Sequence, residues 1–124
     1  MTRAAAKYIS PEGAMVVTSS ISIYKPSKNG ASIMNAASAA VATYAKSLAL
    51  EIAPVRVNII APGVVATGVW SANEKENYKG WAKKTLPVKH LGTAEELTYA
   101  YYSTLTNPYM TGSIITVDGG LTMI

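Results

Sequence analysis

The sequence contains no cysteine, no phenylalanine, one histidine (His90) and one aspartate (Asp118). Without thiols there is no disulfide framework, no thiolate metal site and no cysteine nucleophile. A single imidazole is too little for a zinc centre. One aspartate leaves any two-carboxylate mechanism to the glutamates, and the adjacent pair Glu95 and Glu96 belongs to a helix cap. Charged residues make up only 15% of the chain and hydrophobic residues 49%, a balance opposite to that of disordered segments. The 9 glycines and 6 prolines are scattered without period, which excludes collagen-like or low-complexity sequence. No apolar run approaches the ~20 residues needed to span a bilayer. The opening Met1–Lys7 stretch is too short and too soon charged for a secretory signal. No membrane partner is expected, and a cytoplasmic setting is the default expectation.

What is present is 124 residues, room for one domain of ordinary size. The net charge is +4, modest for a polyanion binder. Lys75, Lys79 and Lys83 repeat every four residues and would share one helix face, with Lys84 and Lys89 nearby. Only Arg3 and Arg56 could read bases, so this is read as a solvated face and no nucleic acid is expected.

Hydrophobic patterning gives an α/β order. Residues 4–9 read as the tail of a helix, stopped by Pro11 and Gly13. Residues 14–19 are continuously apolar and β-branched, the pattern of a strand covered on both faces. Residues 20–30 are rich in Ser, Lys, Pro, Asn and Gly and predict a loop. Ile33, Ala37, Val41, Tyr44, Leu48 and Ile52 recur at helical steps within a long alanine-rich helix over 31–53, ended by Pro54. A helix apolar on most sides is expected to be covered by its own sheet or by a second subunit. Residues 55–60 predict a second strand, ended by Ala61-Pro62-Gly63. Residues 64–91 are mixed, with Val64, Val65, Val69 and Trp70 apolar and 71–84 polar. Thr93-Ala94-Glu95-Glu96 is a capping box that opens a helix to about Thr106, closed by Asn107-Pro108. Residues 113–117 predict a third strand before Asp118-Gly119-Gly120. Helices between apolar strands imply crossovers and a parallel sheet. Three parallel strands leave bare edges, which more strands or a partner normally cover. The chain thus reads as half of a larger α/β fold, and a helix tail feeding straight into an internal strand suggests truncation.

Four segments, in order and in register, resemble the C-terminal half of a short-chain dehydrogenase/reductase. Val16-Val17-Thr18-Ser19-Ser20 resembles the strand that delivers that family's catalytic serine. Ala39-Ala40-Val41 with residues 47–54 resembles the helix after its active site. Residues 56–63 followed by Thr67 resemble its "RVN…PG…T" segment, and residues 111–120 its "TG…VDGG" ending. The resemblance implies the second half of a Rossmann-like, doubly wound parallel sheet. It implies a nicotinamide cofactor, NAD or NADP, and a carbonyl or alcohol substrate. Ser20 then takes the catalytic serine's place, and Pro62, Gly63 and Thr67 take the places that touch the nicotinamide end.

The departures are as specific. The family's Tyr-x-x-x-Lys pair falls, counting back from Glu51, on Met34 and Ser38. A thioether has no proton to give and a serine carries no charge. Tyr24-Lys25-Pro26-Ser27-Lys28 spells the motif by itself, so Tyr24 and Lys28 are a substitute pair to test; Pro26 inside the span argues for a loop instead. None of the nine glycines forms the Gly-rich turn that holds a pyrophosphate. The chain alone is therefore expected to bind a dinucleotide weakly, and to act as a weak or inactive oxidoreductase. The alternative is a non-catalytic interaction module, in either case joined to a second copy of itself or to a complementing N-terminal half.

Individual residues carry further expectations. Ser20 lacks the G-x-S-x-G elbow of a hydrolase nucleophile, and its possible base His90 sits in a loop. Asn58 is expected to satisfy a local backbone group. Trp70, Tyr78 and Trp81 stand where the family places its variable substrate flap, either packing beneath it or stacking on ligand.

Overall fold

A computed structural model describes residues 2–28, 30–68 and 70–124. Met1, the loop residue Asn29 and the apolar Val69 lie outside the described residues. A short helix α1 (Thr2–Ala5) and a 3-10 turn (Ala6–Tyr8) lead into β1 (Ala14–Thr18). A 3-10 turn (Ile21–Ile23) precedes the long helix α2 (Ser32–Glu51), and β2 follows (Arg56–Pro62). The two-residue strands β3 (Val65–Ala66) and β4 (Gly92–Thr93) bracket α3 (Ala72–Thr85). Helix α4 (Ala94–Thr106) and β5 (Ile114–Val117) complete the order.

β1, β2 and β5 form a parallel sheet in that spatial order. β2 lies in the middle, so its interior positions are buried. That position explains why Val57, Ile59, Ile60 and Ala61 are all fully buried, since parallel strands are covered on both faces. Alternate residues part to the two sides. Val57 and Ile59 enter one core cluster with Ala42, Ala45, Leu48 and Ala49 of α2. Arg56 and Asn58 serve the other side, below α4.

The buried stripe of α2 differs from the one its large side chains suggest. Ile33, Val41 and Tyr44 are exposed, and Leu50 is 84% exposed. The sheet instead receives Ala42, Ala45, Leu48 and Ala49. Small side chains let the helix axis sit close to the strands, so alanine carries the contact and Leu48 fills the remaining space. Truncating Leu48 to alanine should cost about 2–5 kcal/mol.

A second cluster gathers Ala82, Leu86 and Leu91 under Trp70, Trp81 and Leu121. β3 and β4 pair in parallel and tie the two ends of α3 together. Both later helices begin with capping boxes. Thr93 Oγ1 accepts from Glu96 N–H at 3.2 Å while Glu96 accepts from Thr93 N–H at 2.8 Å. Ser71 and Glu74 repeat the arrangement at α3.

Asn58 overturns the expectation of a local partner. Its side chain is fully buried, donates to Met110 O at 2.7 Å and accepts from Ser113 N–H at 3.1 Å. Those partners lie 52 and 55 residues away, so the amide stitches the loop after α4 to the central strand. Arg56 does the same from two residues earlier on the same strand face, donating to the carbonyls of Thr104, Leu105, Asn107 and Met110. A guanidinium there meets the last-turn carbonyls of α4, Thr104 and Leu105, and two in the loop after it.

Candidate functional site

Open parallel sheets hold ligands beyond the carboxyl ends of their strands. Here those ends are Thr18 on β1, Pro62 on β2 and Val117 on β5. A cleft of about 340 Å³ opens beside them. Ser20, Met34 and Gly63 all line it, with Tyr78 and Trp81 from α3 and Leu121 from the C-terminal turn.

Ser20 is placed by extended backbone directly after β1. Its Oγ accepts from Ser22 N–H at 3.1 Å, starting the 3-10 turn and leaving its own proton free to donate. Ser19 N–H donates to Ile60 O and its hydroxyl to Ser38 O, both at 2.8 Å. That double anchorage fixes the serine loop against β2 and α2.

Met34 and Ser38 occupy successive turns of α2, the geometry that places two side chains on one face. Met34 is 62% exposed and faces the cleft. Ser38 turns its hydroxyl back to Met34 O at 2.9 Å. It is a helix-bound group and does not line the cleft. The alternative pair Tyr24 and Lys28 is not assembled. Residues 25–28 form no helix, so the four-residue spacing stacks nothing, and both side chains are exposed. Pro26 lies in the interruption, as its missing N–H requires.

Lys25, between them, is a cleft residue that sequence reasoning passed over. Its Nζ donates to Leu121 O at 3.0 Å and to Ile124 O. The serine loop is thereby tied to the C-terminal turn. Asn35 was passed over as well. Its Nδ2 donates to Ser27 O at 3.3 Å, while its buried Oδ1 has no hydrogen-bond partner. The buried Ser22 Oγ is unpartnered in the same wall. No sequence signal marks either atom, because both depend on the path of the loop.

Gly63 is required by close approach. A Cβ there would lie 2.7 Å from Asp118 Cα, and Gly63 N–H donates to Val117 O at 2.9 Å. Pro62 is the last residue of β2, paired with Val117. Thr67 is exposed and lies outside the cleft, its carbonyl accepting from Trp70 N–H. Asp118 faces the other way. Its carboxylate accepts from Gly120 N–H at 2.9 Å and Thr122 N–H at 2.7 Å. Burial pushes its pKa up, but hydrogen bonds from Thr122 and Gly120 outweigh it and hold the carboxyl below its ordinary value. His90 sits with Glu96 and Asp118 on a separate cavity of about 200 Å³. A serine–histidine pair is therefore not formed.

α3 contributes an aromatic array. Trp70 and Tyr78 stack with ring centres 4.6 Å apart, and Tyr78 meets Trp81 edge-on at 6.2 Å.

The family model described as enoyl-(acyl carrier protein) reductase matches residues 1–122. The chain belongs to the short-chain dehydrogenase/reductase family. It is 35% identical to the short-chain dehydrogenase/reductase ucsE of Acremonium sp., covering 97% of this chain and 47% of that protein. It is 30% identical to human 3-oxoacyl-[acyl-carrier-protein] reductase, covering 94% and 48%. The fold superposes on a small-chain dehydrogenase in complex with NADPH at a TM-score of 0.91 and 32% identity, covering 99% of this chain and 57% of that one. An NADPH-bound short-chain oxidoreductase from Pseudomonas aeruginosa PAO1, containing an atypical catalytic centre, aligns at 0.77 and 31% identity, covering 89% and 46%. The chain thus spans about half the length of the curated relatives it matches. Its three-stranded sheet is a fragment of that family's Rossmann-like fold. Among the described residues no helix is long and apolar enough to cross a membrane, and no acidic, histidine or cysteine cluster could hold a metal ion.

Proposed function

We infer that this chain forms the substrate-facing half of an NAD(P)-dependent carbonyl or alcohol oxidoreductase. The observation that carries the reading is the meeting of Ser20 and Gly63 at the carboxyl end of a parallel sheet, in one cleft. A nicotinamide, when bound, supplies or accepts the hydride.

The residues present fit one end of that cofactor. Pro62 and Gly63 set the main chain at the strand end, and Thr67 lies farther along the same loop as the family pattern's third position. The unpartnered Oδ1 of Asn35 is an acceptor of the kind a carboxamide N–H needs. A glycine-rich pyrophosphate turn is missing from the sequence, so firm dinucleotide binding requires a complementing N-terminal half. That half would cover the free edge of β1.

The chain's own chemistry is limited. Ser20 can donate its hydroxyl proton to a substrate oxygen and so orient and polarise a carbonyl. Met34 in the tyrosine's place has no proton to transfer, and Ser38 in the lysine's place has no charge and is engaged with Met34 O. Proton transfer through those two positions is therefore closed, and turnover is weak or absent. The test is Met34→Tyr with Ser38→Lys in the assembled protein. Reduction of a carbonyl substrate should rise by about 10²-fold or more, the range that general acid catalysis supplies. No gain, with NADPH binding intact, removes the role assigned to these positions.

A second reading is a non-catalytic module that associates through α2. Ile33 at 85% exposure and Leu50 at 84% favour it, because such side chains are normally covered. A monodisperse monomer at high concentration in light scattering argues against it. A soluble, cytoplasmic setting goes with either reading.

A further inference from the structure

The cleft has the Ser20 hydroxyl at the strand end, a polar side with Ser22, Lys25 and Asn35, and one wall built of rings. α3 presents Tyr78 and Trp81 to it. The rings are fixed from behind, since Trp70 stacks on Tyr78 at 4.6 Å and itself packs on the second core cluster. The Tyr78–Trp81 contact is edge-on, at 84°, so the two rings present both a face and an edge. Met34 adds a polarisable thioether, which favours aromatic neighbours. A flat ring gains quadrupole-matched contacts in such a site; a saturated ring of the same size gains only burial. The Ser20 hydroxyl, already an acceptor for Ser22 N–H, keeps its proton for a ligand oxygen.

We propose that the cleft selects planar aromatic ketones or aldehydes, the ring against Tyr78 and Trp81 and the carbonyl oxygen on the Ser20 hydroxyl. The carbonyl part rests on the oxidoreductase reading; the ring preference stands on the aromatic wall alone.

The chain's 2 tryptophans are both in this array, so their indole N–H signals in a ¹⁵N–¹H spectrum report on it directly. The protein is titrated, without cofactor, with acetophenone and with cyclohexyl methyl ketone, which have the same number of heavy atoms. Acetophenone should bind about fivefold more tightly, the size of one good aromatic contact. Trp81→Leu keeps apolar bulk and leaves Trp70 as reporter; it should bring the two affinities together. Trp81→Phe keeps a ring and should retain the preference, so a leucine variant that fails to fold still leaves a comparison. Ser20→Ala should weaken both ketones by a similar factor. Equal affinities in the parent protein, no binding of either ketone, or lost preference in Trp81→Phe overturns the proposal. An aromatic preference with no NADPH-dependent turnover in the assembled Met34→Tyr, Ser38→Lys protein overturns the oxidoreductase reading and leaves this one standing. Turnover without the preference does the reverse.

Discussion

At the amino end of β2, the two terminal guanidinium nitrogens of Arg56 and both amide atoms of Asn58 find main-chain partners from the far side of the sequence. At its carboxyl end, around Ser20, the wall holds a buried Ser22 Oγ and a buried Asn35 Oδ1 with no partner at all. Full satisfaction rigidifies and fixes one arrangement, while an orphaned buried group costs free energy in the folded state. The amino end is thus built for stability. The carboxyl end retains unused hydrogen-bonding capacity beside the cleft. One strand separates the two tasks because its two ends face different loops.

The sharpest way to break that contrast is Asn58→Leu. It strands Ser113 N–H and leaves Met110 O with only the longer Arg56 contact at 3.4 Å, so it should cost about 2–4 kcal/mol. Urea unfolding at neutral pH measures this; a loss below 1 kcal/mol removes the stitching role. Arg56→Met keeps the apolar stem and deletes the donors to four carbonyls, with an expected cost of about 1.5–3 kcal/mol. At the other end, Ser22→Ala removes a hydroxyl that already lacks a partner. It should change stability by less than about 0.5 kcal/mol, or raise it slightly. A large loss there means the two ends are equally well bonded and the contrast fails.

The same division decides what could be read without coordinates. The three strands of the main sheet, the long helix and the Thr93 box are legible because their signals are local: apolar β-branched runs, a period of 3.6, a hydroxyl three residues before a glutamate; the two-residue β3 and β4 carry no such signal. The box at Ser71 carries the same signal, Ser71-Ala72-Asn73-Glu74, but no apolar period follows it, so the sequence does not mark it as a helix start. The helical period shows that α2 exists but not which face is buried, since the sheet contact is made by Leu48 and three alanines. Arg56 and Asn58 could not be read at all. Their partners lie about fifty residues on, and nothing in a strand sequence announces which loop will arrive beside it. The cleft was half legible. Ser20, Met34 and Gly63, named through the family resemblance, line one cleft, but Lys25 and Asn35 join them through a loop path that has no periodicity. Tyr24 and Lys28 fail for a reason visible beforehand, the proline between them.

Asp118 offers the finest test, because it sits between the two regimes: it follows β5 at the cleft side of the sheet, yet its carboxylate is fully engaged. Gly119 and Gly120, both at positive φ, turn the chain so that the Gly120 and Thr122 amides converge on that carboxylate. Its folded-state pKa is lowered, so the unfolded chain takes up a proton first as pH falls. The stability it contributes is complete above the unfolded value of about 3.9 and drains away as pH drops through the lower, folded value. Asp118→Asn keeps the shape beside Gly63 and removes the charge. It should destabilise the protein at pH 7, by less than the Arg56 change, and the gap to the parent should close progressively below about pH 4. Urea midpoints measured in parallel from pH 7 to pH 3 give the comparison. A gap that stays constant across that range means the carboxylate's charge contributes nothing, and that the Asp-Gly-Gly turn is held by its backbone alone.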